Sequence, residues 1–327
     1  MMQQRLIIGS IWGILGSCLV VTPASSQIVP DGTTNTSVIN DCQSSCNIGG
    51  GTIAEQNLFH SFEEFNVAPG ASVYFADPGV SNIFSRITGN NSSEIFGTLG
   101  VSGDANLFLL NPNGIIFGEG AALDLNGSFF ATTADEIQFG DRTLKTQPNG
   151  KDLALLTIDP STLWFNRLGQ NGSIVLDGAN LKMPAGQSIT LLGKQVGDRP
   201  GVLLKNATLD VPEGNIDLGA VSSNTAVKID DNLRLQFSPD VVRGDITLKE
   251  ASKIAVDNSG GFDGNEVNIN ASRLAIADDS TITTTTTGTS NGANIHVNAT
   301  ESIAITGENS TSVQQFITNN LTPGGNS

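Results

Sequence analysis

Asp245-Ile246-Thr247-Leu248, Lys253-Ile254-Ala255-Val256, Glu266-Val267-Asn268-Ile269 and Arg273-Leu274-Ala275-Ile276 are variants of one short phrase. Apolar and polar side chains alternate in each, so a short strand would turn one face inward and one outward. The phrase recurs upstream as Ser173-Ile174-Val175-Leu176, Asn180-Leu181-Lys182-Met183, Ser188-Ile189-Thr190-Leu191, Thr208-Leu209-Asp210-Val211 and Asn215-Ile216-Asp217-Leu218. Downstream it returns as Asn294-Ile295-His296-Val297 and Ser302-Ile303-Ala304-Ile305. Gly, Asn, Asp and Ser turns separate the copies. The step from Ile246 to Val267 is 21 residues and that from Ile254 to Leu274 is 20. The longer step of 28 from Val267 to Ile295 reads as a loop made of Thr283–Thr287 and the glycine-flanked residues after it. A repeat of about twenty residues carrying two or three strands predicts a β-solenoid, in which no turn can bury its apolar face alone and stacked turns can. At about 4.8 Å per turn such a chain makes a rod of roughly 60–65 Å. A sandwich or barrel is the other all-β solution, but neither accounts for the recurring phrase.

Composition agrees with an elongated all-β chain. The 327 residues include 37 Gly, one Tyr and two Trp, and long amphipathic helical patterns are absent. Residues 1–26 carry one charge, Arg5, then the apolar run Leu6–Val21 and the exit Thr22-Pro23-Ala24-Ser25-Ser26. That order reads as a signal peptide cleaved near Ser26 and Gln27. The run is short and glycine-rich for a membrane anchor. Leu15-Gly16-Ser17-Cys18 resembles a lipoprotein box, yet the apolar run continues past Cys18. The whole chain has 16 Lys+Arg against 32 Asp+Glu, a net charge of −16, and loss of the leader with Arg5 makes it −17. Such a chain repels phosphate backbones, which argues against nucleic acid as a partner. Cys42 and Cys46 read as a small-loop disulfide in an oxidising compartment. A zinc site would need two more ligands, and His60 and His296 are distant in sequence. No cofactor or metal site is expected.

Ala105–Gly118 is an apolar run, a turn and a second apolar run. In Asn111-Pro112-Asn113-Gly114, Pro112 sets φ for the second turn position, Asn111 can bond its own backbone, and Gly114 supplies the exit before Ile115. Both flanking strands read as largely buried.

Four stretches carry a resemblance to the amino-terminal secretion domain of the filamentous haemagglutinin family, the exported partners of two-partner secretion (TPS). Asn57-Leu58-Phe59-His60-Ser61-Phe62 resembles a phrase of cyanobacterial members. Ile83–Gly89 with Ile95–Leu99, Asn111-Pro112-Asn113-Gly114-Ile115, and Ala122–Asp135 follow in matching order. Asn91-Ser92-Ser93 stands where members often have Asn-Pro-Ser, a local departure. The open end of a solenoid exposes strand edges and needs a cap, which residues 27 to about 65 would supply. The resemblance implies a right-handed parallel β-helix. It implies Sec-dependent export and a cognate outer-membrane barrel with periplasmic POTRA domains. The chain would cross the periplasm unfolded, fold outside as a secreted or cell-surface protein of the adhesin class, and meet host or neighbouring cell surfaces. Asn57–Phe62 and Asn111–Ile115 are candidate transporter-recognition residues, with cap packing and a tight turn as their alternative reading. The expected organisation is a signal peptide over 1–26, cap and secretion-domain core over 27–140, and further repeats over 141–327. The closing Thr322–Ser327 lacks an evident cap and suggests a shortened relative of a longer exoprotein.

Two other functions compete with this reading. β-Helix polysaccharide lyases and hydrolases need paired carboxylates at a set separation, but the acids in Asp230-Asp231 and Asp278-Asp279 would each point to opposite strand faces. No nucleophile–base set accompanies them, and the chain is read as no enzyme. A delivery fragment of a contact-dependent toxin would need a toxin domain at its far end. Gly260–Asn265 is a single weak match to calcium-binding glycine repeats and reads as an exposed turn.

Overall fold

The computed structural model describes residues 26–40, 42, 44–147, 153, 156–166, 172–258, 265–286 and 293–307. The segment read as a signal peptide, Gly260–Gly264 and the end of the chain from residue 308 lie outside the described residues.

The chain winds as a parallel β-helix with three sheets. Sheet I stacks Asn57–Asn66, Asn82–Ile87, Asn106–Leu110, Phe129–Thr132, Ile189–Lys194, Ile216–Val221 and the first halves of Glu266–Ile276 and Asn294–Ile305. Sheet II stacks Ser93–Ile95, Ile115–Phe117, Ile174–Asp177, Val202–Lys205, Ile246–Lys249 and the second halves of those two long strands. Sheet III runs through Ser45–Gly50, Ser72–Ala76, Thr98–Ser102 and Ala122–Asp124, with a second stack of Asn180–Lys182, Thr208–Asp210, Lys253–Asn258 and Thr281–Thr286. Stacking is in register. Leu58 lies over Ile83, then Leu107, Phe129, Ile189, Ile216, Val267 and Ile295. This inward column belongs to one continuous apolar core shared by all three sheets. No α-helix occurs among the described residues.

All the phrases read from Ser173 onward form strands, but their spacing is corrected. Ile246 pairs with Leu274, Ile254 with Ile282 and Val267 with Ile295, each 28 residues on. Steps of 20 and 21 compared strands of neighbouring sheets within one turn. Thr283–Thr286 is accordingly no loop; it continues the sheet III strand that pairs with Lys253–Asn258. Among the described residues sheet I has eight parallel strands, so the described helix is about 34 Å long rather than 60–65 Å.

Antiparallel strands close the amino-terminal end. Gln27–Pro30 and Thr52–Ala54 share the outer edge of Asn57–Asn66, and Thr36–Ile39 covers Ser45–Gly50. They occupy backbone groups that an open first turn would present for edge pairing. Cys42 and Cys46 are joined by a disulfide, and both are buried beneath this cap.

Sheet I is covered on its outer side as well. Between its fourth and fifth strands the chain leaves the helix as Glu136–Phe139, Arg142–Lys145 and Thr162–Phe165; between its sixth and seventh it leaves again as Thr225–Ile229 and Leu235–Gln236. These five strands pair antiparallel into one outer sheet. Between it and sheet I lies a second core. Phe59, Phe84, Phe108 and Phe130 stack there at centroid distances of 5.2, 4.4 and 5.2 Å, with Phe139 edge-on to the first two. Burial of each ring contributes about 1.5–3 kcal/mol, and an aromatic pair adds about 0.5–1.5 kcal/mol. Replacing Phe84, which touches Phe59, Phe108 and Phe139, by Ala is expected to lower unfolding free energy by about 3–5 kcal/mol in urea titrations. Replacing Ile39, an exposed residue of the cap, is expected to shift it by no more than about 0.5 kcal/mol.

Candidate functional site

Asn57–Phe62 opens sheet I, and each of its six side chains is at most 1% exposed. Strand alternation sends Leu58, His60 and Phe62 into the helix and Phe59 and Ser61 outward under the outer sheet. Asn57 sits at the corner and anchors a polar ladder. Its Nδ2 donates to the carbonyl oxygens of Leu156 (2.8 Å) and Ile158 (3.0 Å), and its Oδ1 accepts from Asn82 Nδ2 at 3.1 Å. Asn106 Nδ2 donates to Asn82 Oδ1 at 3.0 Å, and Asn106 Oδ1 accepts the Ser128 N–H at 2.8 Å. The ladder satisfies side-chain polar groups at a corner that is buried at Asn57 and Asn82 and partly buried at Asn106.

His60 shares a hydrogen bond with Thr36 Oγ1 through Nδ1 at 2.9 Å and packs beside Phe62 and Phe75. Burial pushes its pKa down to about 4, so the ring is neutral at ordinary pH. Ser61 belongs to a buried charged cluster. Its hydroxyl donates to Asp31 Oδ2 at 2.6 Å and accepts from Arg86 Nε at 2.8 Å. Arg86 also donates to Thr33 Oγ1 (2.9 Å) and to the Lys145 carbonyl (2.7 Å). One guanidinium thus fastens the cap, sheet I and the outer sheet. Burial would raise the Asp31 pKa, but hydrogen bonds from Ser61, Thr33 and Thr88 outweigh it and the net shift is downward.

Asn111–Gly114 forms the corner between sheets I and II. Gly114 N–H donates to the Asn111 carbonyl at 3.1 Å, closing the four-residue turn, and Asn113 N–H donates to Asn111 Oδ1 at 2.9 Å. The two flanking strands do not pair with each other; each pairs with the turns before and after it. Asn111 is fully buried, and its Nδ2 reaches back to the Asn91 carbonyl and Ser93 Oγ, both at 3.0 Å. Asn113 Nδ2 donates to the Gly89 carbonyl at 2.9 Å. The departure at Asn91-Ser92-Ser93 is thereby absorbed: Ser93 and the Asn91 backbone hold Asn111. Gly114 has φ +117°, and a Cβ on Gly172 of the following turn would run into its backbone. Pro112 and Ile115 are buried here too.

The other candidates stand apart. Asp230 caps its own turn, accepting the N–H groups of Asn232 (2.9 Å) and Arg234 (3.0 Å). Asp278 and Asp279 occupy a left-handed turn between sheets II and III, with φ of 52° and 59°. Among the described residues no group of three or more His, Cys, Asp and Glu could hold a metal ion. The glycine-rich Gly260–Gly264 lies outside those residues. Sequence reasoning passed over Arg86, Asn82 and Asn106. Asn57, Asn82 and Asn106 each stand immediately before an apolar pair, and that shared position was the available signal.

Several known proteins resemble the chain. The "Heme/hemopexin-binding protein" of Haemophilus influenzae is 26% identical over 196 residues, which are 57% of this chain; the chain spans about a fifth (20%) of that relative's length. Among solved structures, the HMW1 secretion domain of Haemophilus influenzae has a TM-score of 0.48 at 16% identity, covering 88% of this chain and 70% of its own. A filamentous hemagglutinin secretion domain has a TM-score of 0.40 at 15% identity, covering 85% of this chain and 98% of its own. The family described as the TPS secretion domain matches residues 26–268, most of the chain, and the chain belongs to that family.

Proposed function

We propose that the chain is an exported exoprotein of the haemagglutinin and adhesin class. The Sec machinery takes it to the periplasm, and a POTRA-bearing outer-membrane barrel delivers it to the cell surface or medium. The barrel's periplasmic domains read Asn57–Phe62 and Asn111–Ile115 before the chain folds. The observation that supports this order is burial: Asn57–Phe62, Asn111, Pro112 and Ile115 offer a folded-state reader almost no side-chain surface. In an extended chain the same residues are accessible and suited to strand addition at a sheet edge. Sparse cysteine fits transit, because the one described disulfide spans only four residues and fixes no long-range contact. Secretion, rather than catalysis, is the work of this fold.

Two measurements test the reading. Purified periplasmic domains of the cognate barrel should bind chain freshly diluted from urea at least about tenfold more tightly than refolded chain, and replacement of Asn57–Phe62 by alanines should remove that preference. Equal binding of refolded and unfolded chain would overturn it. In cells, secreted protein should disappear when the barrel is deleted. Asn111→Ala leaves the Asn91 carbonyl, Ser93 hydroxyl and Asn113 N–H without their partner and is expected to cost about 2–4 kcal/mol in urea titrations.

A further inference from the structure

The outer column of sheet I changes character along the helix. Phe59, Phe84, Phe108 and Phe130 are followed in register by Thr190, Asp217, Asn268 and His296. The first excursion from the helix rests on the phenylalanines. The second, Thr225–Ile229 and Leu235–Gln236 with the turn between them, is tied to Asp217 through the Leu235 N–H.

Asp217 is 2% exposed. Its Oδ2 accepts the Leu235 N–H at 2.8 Å, and its Oδ1 accepts from Asn268 Nδ2 at 3.3 Å. Both donors are uncharged. From the turn above, Arg234 and Asp230 are the charged groups that act on it. Arg234 is ion-paired with Glu266 of the next sheet I strand, and Glu266 in turn lies 3.5 Å from His296 Nε2 on the strand after that. From the preceding strand comes Thr190, uncharged, whose hydroxyl donates to the Leu233 carbonyl at 3.4 Å. Among the described residues, then, no cation hydrogen-bonds the Asp217 carboxyl.

We propose that the protonation state of Asp217 sets how firmly residues 230–237 are seated on the helix, making this turn and its closing strand a pH-responsive flap. Burial pushes Asp217 up to about 7; the Leu235 N–H, Arg234 and Asn268 pull it down, and Asp230 adds to the rise. In the opened flap the carboxyl meets water and returns toward its ordinary value of 3.8. The seated form therefore holds a proton that the open form gives up. Seating is strongest below about pH 4, weakens as pH rises toward about 7, and changes no further above that. Opening would uncover Leu233, Leu235 and Phe237, which pack in the second core.

Hydrogen exchange on the full chain between about pH 5 and about pH 8.5, corrected for the intrinsic rate at each pH, tests this. Protection of amides 232–236 should fall by up to about tenfold per pH unit up to about pH 7 and then level off, while that of 57–62 holds steady. Asp217→Asn should abolish the slope, and His296→Gln should keep it. A flat wild-type profile, a slope that survives Asp217→Asn, or one that vanishes in His296→Gln would each overturn the proposal. Should Asp217→Asn fail to fold, the wild-type profile and the His296→Gln variant still decide.

Discussion

Zero-offset stacking is the constraint on which this molecule rests. Every strand of sheet I lies over the equivalent residues of its neighbour, so a side chain's environment is set by the residues above and below it in the same column. Apolar columns inside the helix merge into one core. Polar columns at the corners become ladders, as from Asn57 to Asn82 to Asn106. A side chain out of character with its column would strand a donor or open a gap in several turns at once, since neighbours in a close-packed interior cannot move independently.

The inward columns were legible because strands covered on one face alternate, as in Asn215-Ile216-Asp217-Leu218. The three-sheet turn was not, because copies of the phrase in adjacent sheets look alike, and spacing alone cannot tell a neighbour in the same turn from an equivalent in the next. The outer sheet was harder still. Runs such as Leu107–Leu110 announce a strand buried on both faces. What covers them comes from Glu136–Phe139, Thr162–Phe165 and Thr225–Ile229, whose pairing joins residues up to 66 apart and leaves no local periodic trace.

Within the candidate site the turn chemistry of Asn111–Gly114 was legible residue by residue, since an asparagine closing its own turn is a local event. Its long-range bonds to Asn91 and Ser93 were not. Arg86 shows the same limit. It is 3% exposed and joins three parts of the fold, and nothing local in Ile83–Gly89 announces those distant partners.

Both excursions depart from the corner between sheets I and II, which Asn111–Gly114 closes in four residues one turn before the first of them. That corner is the expansion joint of the architecture. The strands on either side are held by their columns whatever lies between them, and entropy charges only logarithmically for a longer connection. New segments inserted there leave the winding undisturbed, whereas a single residue added within a strand would throw every column beyond it out of step.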